Sequence, residues 1–186
     1  MTNKFSLKQD AGNNVYFFDA CVWQFIFPLS ILPNSFTAQE EAYADFYERV
    51  LNNDGTIYVN HTLLSEYVNS LIRKYFNYLK EIRSIPSDAQ FKKDFRGSTE
   101  YLRVANQVAS LVKCIVDMDG VEFIEDAKVY KKDLALDLAD KIKSSDYNDE
   151  LFTSMCRSLG LKLVTHDADF KSVKDVHIIS NLSKMF

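Results

Sequence analysis

Short apolar runs that favour β-strands alternate with helical patterns along the chain. The run Val15–Phe18 is apolar at every position, which is typical of a strand covered on both faces of a parallel sheet. Strands that alternate with helices indicate an α/β fold with a parallel, doubly wound sheet. The length of 186 residues suits one domain, or one domain that carries an insertion.

The residue patterns predict where most of these elements lie. Further strands are expected at residues 56–59, 121–124, 161–165 and 176–179, with helices at 20–27, 38–51, 98–118 and 129–143, one starting at Thr62 and one ending at Gly160. Thr37 and Glu40 form the capping-box pattern that starts a helix, and Gly160 is a typical residue just past a helix end. The charged stretch 88–97 predicts an exposed connection.

The composition excludes some classes of protein. A net charge of −4 argues against a protein that coats DNA, but a nuclease can be acidic, because bound metal reverses the local charge. The three cysteines form no CxxC pair, so we expect buried small side chains and a reducing cytoplasm; they are Cys21, Cys114 and Cys156. We expect no signal peptide and no membrane span, since the N-terminal residues lack an apolar core.

Four carboxylates fall where such a fold brings side chains together. Asp19 directly follows the first strand and Asp167 follows strand 161–165, and ligands bind at the carboxyl ends of parallel strands. Glu66 and Asp149 lie near the starts of helices that point toward the same edge. Each acid also has a structural interpretation; for example, Asp149 could be the third residue of a helix capped by Asp146. Asp19 is the hardest to explain structurally, because a buried carboxylate is costly unless it is paired.

These residues resemble the PIN-domain family of metal-dependent ribonucleases, which includes VapC-type toxins. The family pattern begins with an apolar strand that ends in Asp, which Asp19 matches. It also has a Glu in the helix after the second strand, which Glu66 matches. The most specific match is the C-terminal one, which consists of Asp149 on a helix, Gly160 at its end, an apolar strand, and Thr165-His166-Asp167-Ala168-Asp169-Phe170. One departure is Cys21, since many members have Ser, Thr or Asn at that position, and this predicts a weaker hydrogen bond to Asp19.

The resemblance implies a PIN-like three-layer α/β/α fold, with a parallel doubly wound sheet of about 4–5 strands and helices on both faces. It implies a single domain over residues 1–186 with a helical insertion at about 80–118. It also implies a divalent-metal-dependent endoribonuclease that hydrolyses phosphodiester bonds with Mg²⁺ or Mn²⁺. Asp19, Glu66, Asp149 and Asp167 would be catalytic and bind the metal, and Thr165, Asp146 and Asp169 would assist them.

The expected partners are an RNA substrate, an antitoxin protein and a second copy of the chain, with no membrane. Two other functions stay open, a non-catalytic PIN-fold binding module and a toxin controlled by an antitoxin. A receiver-like phosphoacceptor domain ranks low, because Asp167 lies where that class needs a Lys.

Substrate contacts are less defined by the sequence. His166 could contact substrate or be an exposed loop residue. Ten basic residues could contact phosphates or form a solvated surface: Arg73, Lys74, Lys80, Arg83, Lys92, Lys93, Arg96, Arg103, Lys171 and Lys174.

Overall fold

The computed structural model describes residues 4–8, 12–33, 37–141, 143 and 146–185. Within these ranges the strands are β1 (Lys4–Ser6), β2 (Val15–Phe18), β3 (Thr56–Val59), β4 (Val121–Phe123), β5 (Lys162–Val164) and β6 (Ile178–Ser180). The α-helices are α1 (Ala20–Ile26), α2 (Ala38–Asn52), α3 (His61–Glu81), α4 (Thr99–Val116), α5 (Asp126–Val129), α6 (Lys132–Lys141) and α7 (Tyr147–Leu159).

All six strands pair in parallel, in the order β1-β6-β5-β2-β3-β4. From β2 the chain crosses to β3 and β4 on one side, whereas β5 and β6 lie on the other side. The direction of winding therefore reverses beside β2, and in such sheets the crevice at the strand ends is the usual ligand site. The predicted α/β class with a parallel doubly wound sheet is confirmed.

The aromatic residues of β2 show why this strand is apolar at every position. Phe17 packs against Phe152 of α7 with ring centroids 5.0 Å apart. Tyr16 and Phe18 point the other way and pack against Phe46 of α2, at 5.8 and 6.0 Å. Because alternate side chains of a strand face opposite sides, β2 is covered by a helical layer on each face. This is the predicted three-layer arrangement.

Three predictions of local structure were wrong. The sheet has six strands instead of four or five, because the three-residue β1 is too short to give a pattern and forms by pairing with β6. Helix 129–143 is interrupted between α5 and α6, where the Tyr130 hydroxyl accepts a hydrogen bond from Asn60 Nδ2 at 2.6 Å. This tertiary contact outweighs helical propensity. Residue 142 of that prediction lies outside the described residues.

The third difference is in the charged stretch 88–97. It contains a π-helical turn, Phe91–Phe95, and Phe95 is buried against Phe76 with ring centroids 5.1 Å apart. Burial of aromatic surface outweighs the charged neighbours here. The interval 80–118 is thus largely helical, and its status as an insertion stays a prediction. In the described part of the chain, no helix is both long and apolar enough to cross a membrane.

Two predicted helix boundaries are confirmed, and both position the site. Thr37 and Glu40 form the reciprocal capping box of α2, with the Thr37 N–H donating to Glu40 Oε2 at 2.7 Å. Gly160 ends α7 in the left-handed region, with φ of 67°. This turn redirects the chain from α7 into β5, so it fixes Asp149 relative to the end of β5.

We predict that Gly160→Ala lowers the free energy of unfolding by about 1 kcal/mol, because L-residues with a Cβ are strained at this φ. Space is not the obstacle, since no atom lies within 4 Å of an added Cβ. Gly160→Asn is the matched control, and it should lose less because Asn tolerates the left-handed region better. Urea denaturation of the three proteins measures this, and equal losses for Ala and Asn would contradict the explanation.

Candidate active site

Asp19 lies at the carboxyl end of β2 and is buried, with 6% of its surface exposed. Its Oδ2 accepts hydrogen bonds from Thr165 Oγ1 at 2.7 Å and from Cys21 Sγ at 3.0 Å. Burial raises the pKa of Asp19, these two hydrogen bonds lower it, and the charge of Asp167 raises it. The carboxylate is therefore held in a fixed orientation by Cys21 of α1 and by Thr165, which follows β5.

Thr165 connects the ends of two adjacent strands. Phe18 and Val164 are partners in the β2–β5 register, so the next residues, Asp19 and Thr165, face each other past the strand ends. The Thr165 hydroxyl donates to Asp19 and accepts from the Asp167 N–H at 3.0 Å. One buried hydroxyl thus sets the positions of two of the predicted acids.

Asp167 is exposed and caps the 3₁₀ turn Ala168–Ser172. Its Oδ1 accepts a hydrogen bond from the Asp169 N–H at 2.9 Å. Asp169 is itself exposed, and its contribution to this turn is that backbone N–H. The turn orients the Asp167 carboxyl at the open side of the site.

Glu66 in the second turn of α3 and Asp149 in the first turn of α7 are both half-buried. The pKa of each carboxyl is raised to about 7, first by burial and then by the charge of Asp19. Further upward shifts in both pKa values come from the charges of Asp146 and Asp167. Each acid therefore lies within the electrostatic field of the others, as expected for carboxylates gathered at one edge.

Asp146 takes the structural role that the sequence allowed for it. It is the N-cap of α7, and its Oδ1 accepts a hydrogen bond from the Asn148 N–H at 2.8 Å. Asn148 in turn extends its side-chain amide toward Glu66 Oε2 at 3.4 Å. This cap connects the start of α7 to the start of α3 and so brings Asp149 and Glu66 to the same edge.

Two solved structures share this architecture. VapBC2 from Rickettsia felis, bound to a DNA fragment from their promoter, matches with a TM-score of 0.51 and 15% identity over 89% of this chain and 98% of that chain. Mycobacterium tuberculosis VapC20, a sarcin-ricin loop cleaving toxin, matches with a TM-score of 0.49 and 12% identity over 87% of this chain and 98% of that chain. Neither a protein-family model nor a curated protein matches the sequence.

The chain has the PIN-like fold. The resemblance drawn from Asp19, Asp149 and the Thr165–Phe170 stretch is confirmed at the level of the fold. The roles assigned to individual residues stay predictions. In the PIN-like fold of this chain, the four acids lie beside the reversal in strand order.

Cys21 was not among the predicted site residues, although its position was noted as a departure from the family pattern. The cysteines were predicted to be buried small side chains, which holds for Cys156, whereas Cys114 is exposed and Cys21 is partly exposed. The Cys21 Sγ donates to Asp19 and accepts from the His166 N–H at 3.4 Å. Burial and the charge of Asp19 raise the thiol pKa, which keeps the proton on sulfur. The available signal was its position, two residues after Asp19 in the first turn of α1.

His166 is not an exposed loop residue, which was one of the two alternatives left open by the sequence. Its ring is half-buried and packs edge-on against Phe25 and Tyr43, with centroids 5.2 and 5.6 Å away. Its Nδ1 lies 3.1 Å from the Tyr43 hydroxyl, which also donates to the Thr165 carbonyl at 2.9 Å. Burial lowers the His166 pKa, and the charge of Asp167 opposes this shift. Tyr43 therefore contacts both residues that directly follow β5, Thr165 and His166. The sequence did not suggest this role.

The acids fit a divalent cation by their chemistry. Carboxylate oxygens are hard ligands that suit Mg²⁺ or Mn²⁺. The pKa values of Glu66 and Asp149 are raised first by burial and then by neighbouring acids, and a cation would offset the repulsion from those acids. In this conformation, no three His, Cys, Asp or Glu side chains of the described ranges are arranged to hold a metal ion. The donor set therefore fits by its chemistry, and its side chains would have to move to surround an ion.

The raised pKa of Asp149 has a measurable consequence for stability. An Asp that titrates near 7 in the folded protein and near 3.8 when unfolded makes stability fall as the pH rises from about 4 to about 7. Asp149→Asn removes this ionisation. We predict that, in metal-free buffer at pH 8, the variant is more stable than the parent by about 1 kcal/mol, after allowance for solvent screening.

The gain should shrink as the pH is lowered toward 4, where the parent carboxyl is protonated. Asp45→Asn, which removes an exposed carboxyl from α2, is the control for the general effect of net charge. Urea denaturation across this pH range measures both variants. If the Asp149→Asn variant is less stable than the parent at pH 8, burial and the neighbouring acids do not disfavour the Asp149 carboxylate as described.

Proposed function

We propose that this chain is a divalent-metal-dependent nuclease that hydrolyses phosphodiester bonds, with RNA as its substrate. The main support is the gathering of Asp19, Glu66, Asp149 and Asp167 at the reversal in strand order, where burial and then the charges of Asp19 and Asp167 raise the pKa of both Glu66 and Asp149. RNA is the substrate that the PIN-domain resemblance implies.

Mg²⁺ or Mn²⁺ is the proposed cofactor, and Asp19, Glu66, Asp149 and Asp167 are its proposed ligands. When bound, such an ion supplies polarisation of a phosphoryl oxygen and neutralises developing charge. Asp19 is the most rigid of the four, because Thr165 and Cys21 both donate to the same oxygen. That rigidity makes it suited to anchor the ion in one position.

Glu66 and Asp149 are suited to a different role, which is to accept a proton. Both are half-buried, and in the metal-free protein burial and neighbouring acids raise the pKa of each to about 7; a bound cation would favour the ionised carboxylate. A carboxylate poised in this way can accept a proton from an attacking water at its oxygen. We assign the orientation of that water to Asp149, with Thr165, Asp146 and Asp169 as the residues that position the acids.

The direct test is Asp19→Asn, which keeps the shape of the side chain and removes its charge. Purified parent protein should cleave RNA in the presence of Mn²⁺ or Mg²⁺. The variant should lose cleavage by a factor of at least about 100, the scale on which a positioned catalytic group acts. Cleavage of labelled RNA is followed on a gel, and circular dichroism verifies that the variant is folded.

Asp45→Asn is the matched control, because it removes the same charge from an exposed position on α2 and should cleave like the parent. Equal cleavage rates for Asp19→Asn and the parent would refute the site assignment. A parent that binds Mn²⁺ but does not cleave RNA would favour the non-catalytic module instead.

A second proposal concerns the biological setting. One structure with this fold is VapBC2 from Rickettsia felis, which is bound to a DNA fragment from their promoter. We propose by analogy that this chain is a toxin with an antitoxin partner. A small adjacent reading frame should then encode a protein that suppresses growth arrest on co-expression. Arrest that persists with every adjacent product would contradict this. Self-association of the chain into a homodimer also stays a proposal.

A further inference from the structure

A polar groove of about 700 Å³ runs along the outer side of α3. Its lining includes Ser65, Glu66, Asn69, Ser70, Arg73 and Asn148. Glu66 and Asn148 belong to the cluster of acids, so the groove begins at the candidate active site. Arg73 lies toward the other end of the same helix face, seven residues further along α3.

The Arg73 guanidinium is positioned by a cation–π contact. It lies 4.9 Å from the centroid of the Phe91 ring. Phe91 is itself fixed by ring contacts with Phe76 at 5.4 Å and with buried Phe95 at 5.5 Å. A stacked guanidinium loses less conformational freedom when it binds a phosphate, and its edge remains available for hydrogen bonds. Within the described ranges, no carboxylate forms a salt bridge with Arg73.

Other basic residues of the region have different surroundings. Arg103 pairs with Glu100 at 3.7 Å. The Lys80 ammonium lies over the Phe76 ring and donates to the Ala89 carbonyl at 3.4 Å. Lys74 is exposed on α3 but does not line the groove. Of the basic residues considered from the sequence, Arg73 is the one that combines an exposed, stacked guanidinium with a groove leading to the acids.

The length of the groove indicates which phosphate Arg73 would contact. Glu66 and Arg73 are separated by about 10 Å along the helix axis. One nucleotide of a stacked strand spans about 3.4 Å, so Arg73 lies beyond the nucleotide at the acids. A volume of about 700 Å³ matches a small ligand. The groove is therefore suited to a short stretch of one strand.

We propose that this groove binds the substrate as single-stranded RNA and that Arg73 contacts a backbone phosphate about three nucleotides from the scissile bond. This inference rests on the proposed nuclease function. Its physical basis is that four carboxylates carry more negative charge than one divalent ion offsets, so a cation further along the strand adds to the attraction for a polyanion. Asn69 and Ser70 lie between Glu66 and Arg73 on α3, and Ser65 is next to Glu66. These side chains offer hydrogen-bonding groups to the sugar and bases.

The test compares Arg73→Gln with Lys74→Gln, which removes the same charge from the adjacent residue of the same helix outside the groove. Binding of a fluorescein-labelled single-stranded RNA is measured by anisotropy in an Asp19→Asn background, so that the probe is not cut. Arg73→Gln should weaken binding about tenfold, as expected for loss of a charge-assisted phosphate contact. It should also reduce the slope of log affinity against log salt by about 0.7. Lys74→Gln should change neither quantity appreciably.

In the cleavage-competent protein, Arg73→Gln should raise KM and leave kcat nearly unchanged, because the lost contact is away from the reacting bond. Equal effects of the two variants on affinity and salt slope, with RNA cleavage by the parent intact, would overturn this inference alone. A fall in kcat without a change in KM would also overturn it. If the parent neither binds nor cleaves RNA, the proposed function fails and the groove assignment fails with it.

Discussion

The hydroxyl of Thr165 donates a hydrogen bond to the buried carboxylate of Asp19 across the ends of β5 and β2. The same oxygen accepts the Asp167 N–H, so this one group fixes two acids that come from distant parts of the sequence. The register of β2 with β5 determines this meeting, because Phe18 pairs with Val164 directly before it. The apolar strands and the helices that cover them can thus be seen as the frame that holds this polar contact in place.

The same arrangement has an energetic cost. Asp19 is buried among like charges, and the pKa values of Glu66 and Asp149 are raised to about 7. Separating these acids would stabilise the metal-free protein, so their proximity is not explained by folding. Sites that bind cations commonly retain such repulsion, since the ion that relieves it gains affinity. This cost is consistent with the proposal that a divalent ion completes the cluster.

Features that depend on local chemistry could be predicted from the sequence. The fully apolar Val15–Phe18 strand, the Thr37–Glu40 capping box and the turn at Gly160 each follow from short-range steric or hydrogen-bonding rules. The placement of Asp19 and Thr165 beside each other follows from the parallel sheet. The features that were missed depend on contacts between distant residues. Examples are the pairing of β1 with β6, the Tyr130 contact with Asn60, and the stacking of Arg73 on Phe91.

The four carboxylates are proposed to form a single site for divalent cations, and every functional inference depends on this. The most direct measurement is a crystal structure of the protein soaked in Mn²⁺, with anomalous diffraction used to locate the ion. We expect an anomalous peak bounded by Asp19, Asp149 and Asp167, with the Asp19–Thr165 hydrogen bond preserved. The absence of a peak there at saturating Mn²⁺, or a peak only at carboxylates elsewhere on the surface, would contradict the account.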